Sequence, residues 1–102
     1  MPQIKSEYDD LDKYKNVNGD IWYYKKDTRL FHNPYGPAII VKDGSIKYYI
    51  NGSCHRLDGP AIIYANGLEY YCINGLQLNK EQFEKYPERL KYLGKEYLIC
   101  LT

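Results

Sequence analysis

The stretch HRLDGPAIIYANG at residues 55–67 sets the fold, because residues 32–40, HNPYGPAII, repeat its centre 23 positions earlier. Gly36 and Gly59 have this spacing, and two later pairs of glycines keep it. A fixed period of roughly 20–50 residues is typical of proteins built from repeated supersecondary units. The sequence therefore predicts an array of 23-residue repeats within this chain of 102 residues.

Each repeat predicts two short antiparallel strands that are joined by Asn-Gly or Asp-Gly. This dipeptide is a strong hairpin signal, because a type I′ turn needs a positive φ at both central residues. A proline after glycine, as at Pro37 and Pro60, is tolerated where a strand begins. The predicted fold is therefore mainly β, an antiparallel meander of 23-residue hairpin repeats. The predicted strands are residues 20–26, 37–42, 45–50, 60–65, 68–73 and 95–101.

Tyrosine is the unusual residue of this chain, with 13 copies against two Phe and one Trp. Its ring is apolar and its hydroxyl prefers water or a hydrogen bond, which favours a thin sheet with much of its area near solvent. Side chains alternate between the two faces of a strand. Tyr48, Ile50, Tyr71 and Ile73 are predicted to share the more apolar face.

Two segments outside the repeats have helical patterns. Residues 79–90 begin with Asn79, a good N-cap, and Pro87 should end or bend the helix. Apolar residues at helical spacing in residues 4–15 predict a second helix near the N-terminus. The whole chain, residues 1–102, is predicted as one domain. Its parts are an N-terminal extension (1–17), the hairpin repeats (18–78) and the helix with a terminal strand (79–102).

The composition argues against two classes of partner. Lys and Arg number 14 and Asp and Glu number 13, so the chain lacks the basic excess that duplex DNA requires. No apolar run is long enough to span a membrane, and the N-terminus lacks the apolar core of a signal peptide. Three cysteines without a framework spacing predict reduced thiols and a cytoplasmic location.

The motif at residues 55–75, HRLDGPAIIYANGLEYYCING, resembles the Asp-Gly-Pro-Ala repeat, a MORN-like β-hairpin repeat of small phage and giant-virus proteins. Residues 73–87, INGLQLNKEQFEKYP, resemble the way in which such repeats close. The resemblance covers roughly residues 18–90, and it departs from the pattern at Tyr35, where the motif has aspartate. It implies a scaffold with varied partners, a phage origin and action in the host cytoplasm.

Candidate catalytic and metal-binding residues are few. His32 and His55 share one repeat position, and Cys54 precedes His55. No Cys-x-x-Cys or His-x₃-His spacing supports a metal site, and neighbours on a strand point to opposite faces, which separates the thiol from the imidazole. We interpret the histidines as hydrogen-bonding the backbone at the bend before Gly-Pro. The sequence predicts no catalytic residue, no metal and no cofactor.

The segment WYYKKDTRLFHNPY at residues 22–35 breaks the repeat and mixes aromatic with basic side chains. Such a mixture suits a nucleotide or single-stranded nucleic acid, because rings stack on bases and arginine binds phosphate. It equally suits a protein interface. In a purely structural interpretation, Trp22 and one tyrosine lie in the core while the lysines solvate an edge strand. The predicted partner-binding residues are Trp22, Tyr23, Lys25, Arg29, His32, His55 and Arg56.

These observations lead to three functional hypotheses. The first is a non-enzymatic binding protein, encoded by a phage, that acts on a host macromolecule in host takeover or counter-defence. The second is an oligomeric sponge that sequesters a nucleotide-derived immune signal, and the third is a structural repeat protein. Homo-oligomerisation is expected because a meander has two open edges.

Overall fold

The structure, a computed structural model, describes residues 10–95. It confirms the prediction of a mainly β chain with antiparallel strands and short helices. The described strands are β1 (Leu11–Lys15), β2 (Ile21–Lys25), β3 (Ile39–Ile40), β4 (Ile46–Lys47), β5 (Tyr49–Ile50), β6 (Ser53–Cys54), β7 (Ile62–Ile63), β8 (Glu69–Ile73) and β9 (Leu76–Leu78). The described helices are α1 (Lys80–Glu84) and α2 (Pro87–Tyr92).

Seven strands form one antiparallel sheet in the order β1-β2-β3-β4-β7-β8-β9, and β5 and β6 pair separately. The two-residue strands are extended by further backbone bonds, such as those from Ala38 N to Lys47 O (2.9 Å) and from Ala61 N to Tyr70 O (2.9 Å). Five predicted strand stretches contain observed strands, whereas β1, β6 and β9 were not predicted as strands. Most of the predicted strand 95–101 lies outside the described residues.

The predicted N-terminal helix is wrong over its last five residues, because Leu11–Lys15 is strand β1 and pairs with β2. The apolar spacing of Leu11 and Tyr14 fits a helix, but the two side chains lie on opposite faces of the strand. Leu11 is buried, while Tyr14 stacks on Trp22 across the strand pair with ring centroids 6.0 Å apart. Cross-strand aromatic packing therefore decides this segment. Residues 4–9 of the predicted helix lie outside the described residues.

The predicted hairpin turns divide into two kinds. At 51–52 and 74–75 both the asparagine and the glycine have positive φ, as a type I′ turn requires. At 43–44 and 66–67 only the glycine does, so the type I′ prediction is wrong there. In these longer loops the side chain of Asp43 or Asn66 accepts the backbone N–H two residues later, at 2.8 and 3.0 Å. That local bond makes the aspartate or asparagine useful without a positive φ.

The residues that begin each helix explain where the helices start. Asn79 caps α1: its side chain accepts from Gln82 N at 2.7 Å, and Gln82 Oε1 accepts from Asn79 N at 3.0 Å. This reciprocal pair is a capping box. Pro87 ends the predicted helix and also begins α2, where its missing N–H would have had no helical partner.

Part of the core lies where α1 packs against β8. Ile73 is fully buried, and Phe83 of α1 packs on Tyr71 with ring centroids 4.6 Å apart. Ala38 and Ala61, from the two Gly-Pro-Ala motifs, are also fully buried. The molecule measures 52 × 38 × 20 Å, so it is thin, as its tyrosine content predicts. No helix within residues 10–95 is long and apolar enough to cross a membrane.

Candidate binding cleft

His32 and His55 make the same hydrogen bond at positions 23 residues apart. The Nδ1 atom of His32 accepts from Asn51 N, and that of His55 accepts from Asn74 N, each at 2.9 Å. The predicted backbone bond is therefore present, but its partner is the type I′ turn 19 residues later rather than the bend before Gly-Pro. An acceptor nitrogen must keep its lone pair, so Nδ1 carries no proton in either ring.

The surroundings of His32 favour its neutral form. Burial lowers the pKa of His32 below its usual 6.5, and the positive charge of Lys25 lowers it further. Asp10 acts in the opposite direction with a smaller effect. The ring is thus suited to remain an acceptor for the turn at neutral pH.

The residue after each histidine holds the loop that leads into Gly-Pro-Ala. Asn33 Nδ2 donates to Pro37 O at 3.0 Å, and Arg56 Nη1 donates to Pro60 O at 3.0 Å. Arg56 makes two further contacts: its Nε pairs with Asp58 Oδ1 at 2.8 Å, and its Cζ lies 4.1 Å from the centroid of the Tyr48 ring. Two different side chains therefore stabilise equivalent backbone bends in the two loops.

These two loops enclose a half-open cleft of about 340 Å³. Tyr48 and Ile50 lie at its sheet side, and Tyr92 of α2 contributes from the C-terminal end. Tyr35 and Tyr92 are 50% and 59% exposed, so their rings remain accessible to a partner. The full lining is Asn33, Pro34, Tyr35, Gly36, Tyr48, Ile50, His55, Arg56, Leu57, Asp58 and Tyr92.

The structure distributes the seven residues predicted to bind a partner over several places. His55 and Arg56 line the cleft, whereas Trp22 and Arg29 line a separate pocket of about 180 Å³. Tyr23 is buried, at 7% exposure. The other two, Lys25 and His32, both bond Asn51: Lys25 Nζ donates to its side-chain oxygen at 3.1 Å, and His32 accepts its backbone N–H.

Sequence reasoning did not select Leu57 or Tyr92 for the cleft. Leu57 directly follows Arg56 in the sequence, and this position beside a predicted site residue could have indicated that it lines the cleft. Tyr92 reaches the cleft only because α2 follows α1 at Pro87 and returns beside the loops. That placement depends on tertiary packing, for which residues 87–92 carry no local signal.

The described residues offer little for covalent or metal chemistry. Burial, with a smaller contribution from Cys72, raises the pKa of the Cys54 thiol to about 12. A thiol of this kind is not a nucleophile at neutral pH, because the thiolate is the reactive form. Within residues 10–95, no group of three or more His, Cys, Asp or Glu side chains is placed to hold a metal ion.

Comparison with known proteins identifies no relative. No protein-family model, no curated protein and no solved structure matches this chain. Function is therefore inferred from the geometry of residues 10–95 and from the motifs of the sequence.

Proposed function

We propose that this chain is a non-enzymatic binding protein that holds a partner protein in the cleft between residues 33–36 and 55–58. The observation that carries this proposal is the pairing of the two exposed tyrosines, Tyr35 and Tyr92, with Arg56 around one concave surface. Tyrosine and arginine are enriched among the residues that dominate protein–protein binding energy. The tyrosine rings lose little conformational freedom when they become buried, which favours tight contact.

One feature beside the cleft and one feature of its lining favour binding over catalysis. The Cys54 thiol has a raised pKa, so it is protonated at neutral pH. The imidazole of His55 uses Nδ1 to accept the Asn74 backbone N–H, which leaves that atom unable to serve as a base.

The proposed scaffold for this cleft is a meander of 23-residue hairpin repeats. In support, Val41 N donates to Ser45 O at 2.8 Å, and Tyr64 N donates to Leu68 O at 2.9 Å. The bonds from Gly52 N to Phe31 O and from Gly75 N to Cys54 O, both 2.8 Å, are likewise displaced by one repeat length along the sequence. Equivalent bonds at one spacing are what repeated units would make.

The proposed setting is a phage-infected cell, where the partner is a host protein in the cytoplasm and binding serves host takeover or counter-defence. Support for this setting comes from the resemblance of residues 18–90 to the Asp-Gly-Pro-Ala repeat. A small protein of this kind would act by occupying a surface of its target.

The experiment is affinity capture from bacterial lysate with the immobilised wild-type chain and two cleft variants, Tyr35→Ala and Tyr92→Ala. Loss of a hot-spot tyrosine should reduce recovery of the specific partner about tenfold or more. The matched control is Tyr64→Ala, a tyrosine of 37% exposure that lies outside the cleft lining. Equal recovery with all four proteins would contradict the proposal.

A further inference from the structure

A second concave site lies at the β1–β2 edge of the sheet. Tyr14 of β1 pairs with Trp22 of β2, and Asp12 pairs with Tyr24, so the three rings stand side by side. With Thr28 and Arg29 from the following loop, they line a pocket of about 180 Å³. It shares no lining residue with the cleft.

The three rings form a fixed aromatic surface. Tyr14 and Trp22 are nearly parallel, at 14° and 6.0 Å between centroids, and Tyr14 meets Tyr24 edge-on at 5.4 Å. Phe31, which forms a β-bridge with Tyr24, stacks on that ring with centroids 5.1 Å apart and so helps to fix its position. Tyr14 is 47% exposed, so a planar ring can reach this surface from solvent.

A positive charge lies beside the rings. Arg29 is exposed, and within residues 10–95 its side chain makes no hydrogen bond or ion pair. Its loop is held by Thr28, whose Oγ1 donates to Lys25 O at 2.7 Å and accepts from Leu30 N at 3.1 Å. Because it has no such partner among these residues, the guanidinium is available for an anion.

We infer that this pocket binds a nucleobase that carries a phosphate. The base stacks on Trp22 and Tyr14, and Arg29 pairs with the phosphate oxygens. A volume of about 180 Å³ is smaller than that of most whole-ligand pockets, so one ring system enters while the sugar and phosphate stay at the Arg29 rim. A free nucleotide and the end of a single strand present the same chemistry.

The chain supplies its own reporter, because Trp22 is its single tryptophan. Titration with AMP should quench its fluorescence saturably, since the base stacks on the indole. Adenosine should bind about tenfold more weakly because it lacks the anion, and inorganic phosphate alone should not quench. A six-residue oligoadenylate that binds much more tightly than AMP would identify a single strand as the source; equal binding would identify the free nucleotide.

Two variants separate the parts of the site. Arg29→Gln should weaken AMP about tenfold and leave adenosine unchanged, whereas Tyr14→Ala should weaken both ligands. Tyr64→Ala, outside both sites, should bind AMP as the wild type does. The inference is overturned if neither AMP nor the oligonucleotide quenches saturably, or if Arg29→Gln binds AMP unchanged. Because the cleft shares none of these residues, that failure would not affect the capture experiment.

Discussion

Residues 32–52 and 55–75 form equivalent hydrogen bonds to the backbone, one through the same residue type and one through different side chains. In both segments a histidine accepts the N–H of an asparagine in a type I′ turn. The next residue then bonds the proline carbonyl before a buried alanine, but it is Asn33 in the first segment and Arg56 in the second. The shared bonds define the architecture, and the side chains that differ form the walls of the cleft.

The segments also differ in what covers them. Ile50 and Ile73 occupy the same position, yet Ile73 is fully buried near α1, while Ile50 lines the cleft. One position is therefore core in one segment and binding surface in the other, because α1 packs against β8, whereas Ile50 borders the cleft. A sequence repeat can show the position but cannot show which copy is covered.

The largest expected effect separates these two isoleucines. Ile73→Ala should lower the free energy of unfolding by about 4 kcal/mol, because it leaves a cavity in a fully buried site. Ile50→Ala, at the half-open cleft, should cost about 2 kcal/mol or less, because solvent can fill the space. Urea denaturation of both variants measures the difference. Equal losses would mean that the helices do not distinguish the segments.

The next effect compares the two side chains that hold the loops. Arg56→Ala should cost about 2–3 kcal/mol, because it removes a bond to Pro60 O and the stacking on Tyr48. Asn33→Ala should cost about 1–2 kcal/mol through the bond to Pro37 O.

A substitution of one residue type by the other tests whether Asn33 and Arg56 have equivalent structural roles. Arg56→Asn should recover part of the stability that Arg56→Ala loses, because asparagine makes the equivalent bond in the first segment. Thermal unfolding of the three proteins side by side gives the order. If Arg56→Asn were no more stable than Arg56→Ala, the equivalence of Asn33 and Arg56 would be refuted.

A smaller effect concerns the glycines of the two Gly-Pro pairs. A Cβ at Gly59 would lie 3.0 Å from Arg56 Cζ, a group held by Asp58 and Pro60, whereas a Cβ at Gly36 meets nothing within 4 Å. Gly59→Ala should therefore cost about 1 kcal/mol, and Gly36→Ala should stay within about 0.5 kcal/mol of the wild type. The control is Gly59→Ala in the Arg56→Ala background, where the cost should disappear. Its persistence there would assign the loss to the backbone.

The smallest effect is a pH dependence. The pKa of His32 is lowered in the folded chain, chiefly by burial and then by Lys25, so folding favours the neutral ring. Its contribution is complete above the unfolded value of 6.5 and is lost as the pH falls through the folded pKa. His32→Gln, which can accept but cannot titrate, should lose less stability than the wild type between about pH 7 and pH 5. Parallel pH profiles from chemical denaturation would contradict this assignment.

The sequence predicted the β class, most strand positions and the cap at Asn79, because each depends on local chemistry that is visible within a few residues. Strand β1 was missed because Leu11 and Tyr14 fit two periodicities, and only the pairing with Trp22 selects one. Some residues of the candidate sites were predicted, such as Arg56, Trp22 and Arg29, because aromatic and basic side chains are typical of binding surfaces. Their division into a cleft and a pocket follows from strand register and from the course of α2, which single residues do not specify.

The equivalence of the two segments is tested most directly by the histidine bonds themselves. Nuclear magnetic resonance on ¹⁵N-labelled protein can detect scalar coupling across an N–H···N hydrogen bond. We predict couplings from Asn51 N to His32 Nδ1 and from Asn74 N to His55 Nδ1, both at neutral pH. Coupling in only one segment, or in neither, would contradict the account of one architecture used twice.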